Sequence, residues 1–162
     1  MKVVLVRHGD ADAEIPEGLG DEARALTAKA RQAMAQHFAA LAERLERFDA
    51  IFTSPLVRCV QTAQLLSVTI HHEGPLRAHR SLLPDMPVGA LDSILQDHVG
   101  LTVALVGHQP SMGALAAHLL GMQSFPKPVN PGTVIGVERV DADNPAKLLF
   151  YAAPGQPVLD AL

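Results

Sequence analysis

The chain is short of cysteine, of net positive charge and of long apolar runs. Its 162 residues include one cysteine, which excludes a disulfide framework and any four-cysteine zinc site. Thirteen Lys and Arg stand against 17 Asp and Glu, a net charge of −4. A general nucleic-acid binder would carry a basic excess instead. The early apolar run, Val3 to Val6, is far too short for a signal-peptide core or a membrane span. No repeat, linker or low-complexity segment divides the sequence. What is present is apolar: 48% of residues, with only 19% charged, enough to bury a sizeable core and to exclude disorder as the overall class. The expectation is one domain over 1–162, in the cytoplasm, binding neither membrane nor nucleic acid. With no obvious exposed apolar run, a monomer is the simplest state.

Strand and helix signals alternate along the chain. Lys2 to Val6 is a β-branched run suited to a strand buried on both faces, and it ends at the polar cluster Arg7-His8-Gly9-Asp10. An acidic, glycine-containing loop follows to about Gly20. Thr27 is a helix N-cap, and Met34, Phe38, Leu41, Leu45 and Phe48 form one apolar stripe of a long helix. Ala50 to Thr53 is a second strand. Ser54-Pro55 then suits an N-cap with proline at the first helical position, for a helix reaching about Leu66. Ser67 to Pro87 reads as mostly irregular and Val88 to Asp97 as a helix. Leu101 to Val106 is a buried strand ending at Gly107-His108, and Pro110 opens a helix through Leu120. Thr133 to Val140 and Lys147 to Ala152 read as a hairpin. This alternation predicts an α/β fold, a three-layer α/β/α sandwich on a mostly parallel central sheet.

Three of these strands end in unusual polar residues: Arg7 and His8, then Ser54 and Arg58, then His108. Ligands of open α/β sheets bind beyond the carboxyl ends of the strands. If the three strands are neighbours, two histidines and two arginines converge on one cationic pocket. Arginine matches phosphate oxygens in bidentate geometry. Helix N-termini near Pro55 and Pro110 would add backbone donors. The inferred ligand is a phosphoryl group.

The segments VRHGD (Val6 to Asp10), SPLVRCVQTA (Ser54 to Ala63) and VGHQP (Val106 to Pro110) resemble the three signatures of the histidine phosphatase superfamily, the phosphoglycerate mutase-like group. The short length, Asp10 after Arg-His-Gly, the Leu26-Thr27 helix opening and Pro131-Gly132-Thr133 resemble its small SixA-type phosphohistidine phosphatases. The resemblance covers nearly the whole chain, in order. It implies a phosphoglycerate mutase-like fold and a histidine nucleophile, His8, that forms a phosphohistidine intermediate which water hydrolyses. His8 must then be neutral, and Arg7 and Arg58 should lower its pKa. Arg7, Arg58 and His108 would hold the oxygens of the transferring group, with Ser54 and Gln109 as further substrate-binding candidates. No metal or cofactor is implied, since the cationic side chains supply the charge.

Two departures from the family pattern stand out. Ala30 replaces a glycine common after Leu-Thr, with no functional loss expected in a helix interior. Larger relatives carry a mid-chain glutamate as general acid, where this sequence offers only Asp85. An imidazole leaving from phosphohistidine needs less protonation than an alkoxide, so a missing acid fits a phosphoramidate substrate. The larger relatives also carry a helical insertion over the pocket, where this chain has only the short run His71 to Arg80. An open site would admit a protein-borne phosphohistidine, as on a histidine phosphotransfer-type domain. The rival readings are a phosphatase of small phosphate esters or sugar phosphates, and a non-catalytic phosphoprotein-binding module.

Several residues carry plainer readings. Ser54 serves equally as an N-cap, Gln109 as a turn residue, and His37 and His118 as surface or packing residues on helices. His71-His72-Glu73 lacks the helical pairing of zinc peptidases. Cys59 lacks the arginine six residues on that tyrosine phosphatases require, having Leu65 there. Gly18 to Ala23 fits a loose dinucleotide fingerprint but follows no strand. Asp10, Asp12 and Glu14 begin like a calcium loop, but Ile15 stands where glycine is needed.

Overall fold

The computed structural model describes residues 1–45 and 47–162. The β-branched runs become the centre of a six-stranded sheet. Its strands are β1 (Lys2–Arg7), β2 (Ala50–Thr53), β3 (Leu76–Ala78), β4 (Thr102–Gly107), β5 (Val134–Glu138) and β6 (Lys147–Ala152), in the order β3-β2-β4-β1-β5-β6. The pairs β3–β2, β2–β4 and β4–β1 are parallel, while β5 and β6 add antiparallel. The sheet is therefore mostly parallel, with an antiparallel hairpin on one edge.

Strand periodicity assigns each side chain of β1 to a layer. Val3 and Leu5 join a core with Ile94, Leu95, Met112 and Leu115. These come from α3 (Asp92–Asp97) and α4 (Ser111–Leu120). Val4 and Val6 join the opposite core with Met34, Phe38, Cys59 and Ala63, from α1 (Ala28–Ala40) and α2 (Val57–Thr69). Both faces of the sheet are covered, so the molecule has the expected three layers.

Local chemistry explains where the elements begin and end, and where they depart from expectation. Thr27 does cap α1, its Oγ1 accepting from the Ala30 amide at 2.9 Å. The helix stops at Ala40, earlier than the apolar stripe suggests. Leu41 N–H is shared between the carbonyls of His37 and Phe38, and a 3₁₀ turn follows over Ala42–Arg44. Leu41, Leu45 and Phe48 are buried all the same, so the stripe marks core rather than unbroken helix. Val88–Leu91 is likewise a 3₁₀ turn leading into α3. The stretch expected to be mostly irregular contains β3, an edge strand of three residues, too short for its alternation to stand out, which forms because Ile51–Thr53 offer it a free parallel edge.

The register puts the functional strand ends level. Val106 pairs with Val6 on one side and with Thr53 on the other. His8, Ser54 and His108 therefore leave the sheet side by side, with β4 between the other two strands.

Candidate active site

Beyond these strand ends lies a cavity of about 320 Å³ lined by Arg7, His8, Asp10, Ala11, Arg24, Arg58, Pro84, His108, Gln109 and Pro131. The backbone around it is tied down from several directions. His8 N–H donates to the Gly107 carbonyl, and Gly132 N–H is shared by the carbonyls of Arg7 and His8. The Gly9 amide donates to Thr62 Oγ1 at 3.2 Å, while the Thr62 hydroxyl donates to the Arg58 carbonyl at 2.8 Å. Thr62 thus joins the His8 turn to the first turns of α2.

The orientation of His8 follows from one hydrogen bond. Its Nδ1 lies 2.7 Å from the Gly9 carbonyl oxygen. A carbonyl can only accept, so Nδ1 carries the proton and Nε2 keeps its lone pair. The His8 pKa is pushed down to about 4, first by burial, then by Arg58, Arg7 and Arg24, against the opposing Gly9 bond. The lowering expected from Arg7 and Arg58 is present, but it is secondary to desolvation. His108 is also pushed down to about 4, by burial and then by His8 and Arg58. The two rings meet edge to face, with centroids 5.2 Å apart. The site thus holds two neutral histidines among guanidinium groups.

The arginines are only partly satisfied by protein groups. Arg7 Nη1 donates to the Val129 carbonyl at 2.8 Å. Arg58 donates to the Asp21 carbonyl and to its carboxylate, both at 3.1 Å. Nε of each arginine is buried without a partner among the described residues. A buried unmet donor costs about 1–3 kcal/mol, a cost that an oxyanion in the cavity would relieve.

The remaining sequence candidates divide. Ser54 is fully buried and bonds His108 Nε2 through Oγ at 2.8 Å. It is not the N-cap of α2, which begins at Val57 after Leu56; its Oγ accepts from the Leu56 amide at 3.3 Å. Gln109 lines the cavity, but its Oε1 accepts from Gly113 N–H at 2.9 Å and so occupies the α4 N-terminus. That helix end was expected to serve the ligand. Asp85 lies apart: it is exposed, has a left-handed backbone (φ 64°), and lines a neighbouring cavity with Met86, Val88 and Leu91.

Two residues near the cations, Arg24 and Asp21, had no functional signal in the sequence; Asp10 and Cys59 stood inside the quoted motifs without a role of their own. Arg24 reaches the wall from the loop before α1, held by Asp21 Oδ1 at 2.9 Å and the Asp12 carbonyl at 3.1 Å. Asp21 therefore bridges Arg24 and Arg58. Asp10 also lines the wall. Cys59 Sγ is 3.5 Å from His108 Nε2. The Arg58–Asp21 and Cys59–His108 contacts join residues 37 and 49 positions apart, which no spacing rule would reveal. Among the described residues, no group of three or more His, Cys, Asp or Glu could hold a metal ion, and no helix is long and apolar enough to cross a membrane.

Comparison with known proteins agrees with this architecture. The sequence model of the histidine phosphatase superfamily, branch 1, matches residues 3–82. No curated protein matches the sequence. Among solved structures, the protein histidine phosphatase SixA complexed with tungstate superposes with a TM-score of 0.83 at 22% identity, over 95% of this chain and 97% of that one. A protein from Agrobacterium tumefaciens, provisionally named a phosphohistidine phosphatase SixA, gives 0.80 at 22% identity, over 94% and 97%. A mycobacterial glucosyl-3-phosphoglycerate phosphatase with VO3 gives 0.69 at 16% identity, over 91% and 96%. At these identities the likeness is one of fold.

Proposed function

We propose that the chain is a phosphatase of the histidine phosphatase superfamily, whose sequence model matches residues 3–82, and that it removes phosphoryl groups from histidine side chains of proteins, through a phospho-His8 intermediate. The observation that carries this reading is the Gly9 bond to His8 Nδ1. It leaves Nε2 unprotonated in a ring that stays neutral above about pH 4, as an attacking histidine must be.

Nε2 attacks phosphorus in line, and the phosphorus–nitrogen bond to the substrate imidazole breaks. Its electron pair goes to that nitrogen, which takes up a proton from solvent. Water then attacks phospho-His8, releasing phosphate and returning the electron pair to Nε2. Arg7, Arg58 and His108 hold the non-bridging oxygens. Removing one such donor costs on the order of 10²–10³ in rate. Ser54 orients the His108 ring.

Two features support a phosphoramidate on a protein. Asp85 faces the adjoining cavity rather than this one, and an imidazole leaving group makes the least demand on an acid. No residue described between Thr69 and Arg80 lines the cavity, so its mouth is not roofed by that run. A histidine phosphotransfer-type domain is the partner that fits. The second reading, a small phosphate ester, is favoured by Arg24, a third guanidinium able to meet another anionic group, and by the glucosyl-3-phosphoglycerate phosphatase among the structural neighbours.

The test is phosphate release, with EDTA present, from a phosphohistidine-bearing protein and from an aryl phosphate, for wild type and His8→Ala. Release from the phosphoprotein that vanishes in His8→Ala is expected. Release from the ester alone would select the second reading, and release from neither would leave a binding module.

A further inference from the structure

The proposed reaction leaves one proton without a destination. Water attacking phospho-His8 must lose it as the new phosphorus–oxygen bond forms. His8 cannot take it during the attack, because its Nε2 is the atom bonded to phosphorus and its Nδ1 already carries a proton toward Gly9. The arginines are permanently protonated. A carboxylate on the cavity wall would serve.

The structure narrows the choice of carboxylate. Asp85 is on the wall of the neighbouring cavity. Asp21 has both oxygens engaged, Oδ1 by Arg24 Nε at 2.9 Å and Oδ2 by Arg58 Nη2 at 3.1 Å. Asp10 lines the cavity itself, two residues after His8. Among the described residues its carboxylate accepts no hydrogen bond, and it is close enough to Arg7 to raise that guanidinium's pKa against the effect of burial. Its backbone is fixed, since the Asp10 carbonyl accepts from Thr27 N–H at 3.1 Å, at the cap of α1. The side chain is exposed at the mouth, where water enters and protons leave.

We propose that Asp10 is the general base for hydrolysis of the phospho-His8 intermediate, which rests on the phosphatase reading above. The water oxygen attacks phosphorus while one of its protons passes to the Asp10 carboxylate. The bond from phosphorus to His8 Nε2 breaks, and its electron pair returns to the ring. Asp10 then releases the proton to solvent. The first step, expelling imidazole, makes no call on Asp10.

This separation of the two steps is what an experiment reads. Rapid-quench kinetics with N-phosphoimidazole would follow imidazole release and alkali-quenched phosphoenzyme for wild type, Asp10→Asn and Asp10→Glu. General-base catalysis is typically worth about 10²–10⁴-fold. The expected result for Asp10→Asn is an unchanged burst of imidazole, a breakdown rate lower by about 10²-fold or more, and phosphoenzyme that accumulates. Asp10→Glu should recover part of the breakdown rate. Burst and breakdown slowed equally would make Asp10 a partner of Arg7 alone, and an unchanged breakdown rate would remove it from the chemistry; either overturns the proposal. Turnover that survives in His8→Ala is a separate result, and would overturn the phospho-His8 route on which the proposal stands.

Discussion

His8 Nδ1 stands 2.7 Å from the carbonyl oxygen of Gly9, so the residue that follows the ring decides which of its nitrogens is free. With the pKa held near 4, ¹⁵N NMR at pH 7 should show the Nδ1-protonated neutral tautomer. Titration should leave that signal unchanged down to about pH 5. A ring that protonates near 6.5 would contradict the burial argument.

Binding of an oxyanion should reverse these shifts. Both His8 and His108 are lowered by burial and by neighbouring positive charge, and a dianion in the cavity opposes both causes by favouring the charged imidazoles. Tungstate binding near pH 6 should therefore be accompanied by proton uptake. Calorimetry in buffers of different ionisation enthalpy measures it, and zero uptake at pH 6 would be inconsistent with two neutral histidines before the anion binds.

The same histidines make the protein sensitive to acid. Each has a folded pKa of about 4 against 6.5 unfolded, so the unfolded chain binds more protons between these values. Their effect on stability is absent above about pH 6.5, and stability is lost as pH falls toward 4. The two shifts together bound the loss at about 3 kcal/mol per group. Urea midpoints at pH 7 and pH 4.5 should differ accordingly, and His108→Gln should reduce the difference.

Asp21 and Arg58 should differ sharply in importance, although they are bonded to each other. The Asp21 side chain is 53% exposed, and pairs of this kind are worth about 0.2–1 kcal/mol. Asp21→Asn should then lower kcat/KM by only about 2–5-fold. Arg58→Lys loses the planar fork and should cost on the order of 10²–10³. Similar losses in the two variants would show that Asp21 does more than hold Arg58.

Cys59 should be inert despite lying beside His108. Burial pushes its thiol up to about 12, and the residue is fully buried. Iodoacetamide at pH 8 should label the unfolded chain and spare the native one. Rapid native labelling would mean that α2 lifts from the sheet far more often than its packing suggests.

The strands that position the site were legible because a parallel strand buried on both faces has little choice of residue. Val3 to Val6 and Val103 to Val106 announce themselves, and the polar residues directly after them stand out by contrast. β3 was missed because Leu76-Arg77-Ala78 is too short for its alternation to stand out; its neighbour determines it. The early end of α1 was hidden because a 3₁₀ turn keeps Leu41 and Leu45 on the same side as a helix would. Ser54 looked like a cap because Ser-Pro suits one, yet its hydroxyl is bonded to His108, 54 residues away. Arg24 and Asp10 reach the cavity, and Asp21 its arginines, from the segment between β1 and α1, whose sequence reads simply as acidic and turn-rich. A ring's pKa is also set by what buries it, and neighbours in sequence reveal that poorly.

The pairing of Val106 with both Val6 and Thr53 has a consequence for how this protein can change. The depth of His8, Ser54 and His108 is counted in residues along three hydrogen-bonded rails, so the loops that follow do not set it. Lengthening the segment between Leu83 and Val88 would alter what the cavity admits without moving those three side chains. Deleting one residue from β4 would turn its side chains to the wrong core and withdraw His108 in the same stroke. Selectivity and chemistry are thus separable here: the first can drift by insertion, while the second is locked to the ladder.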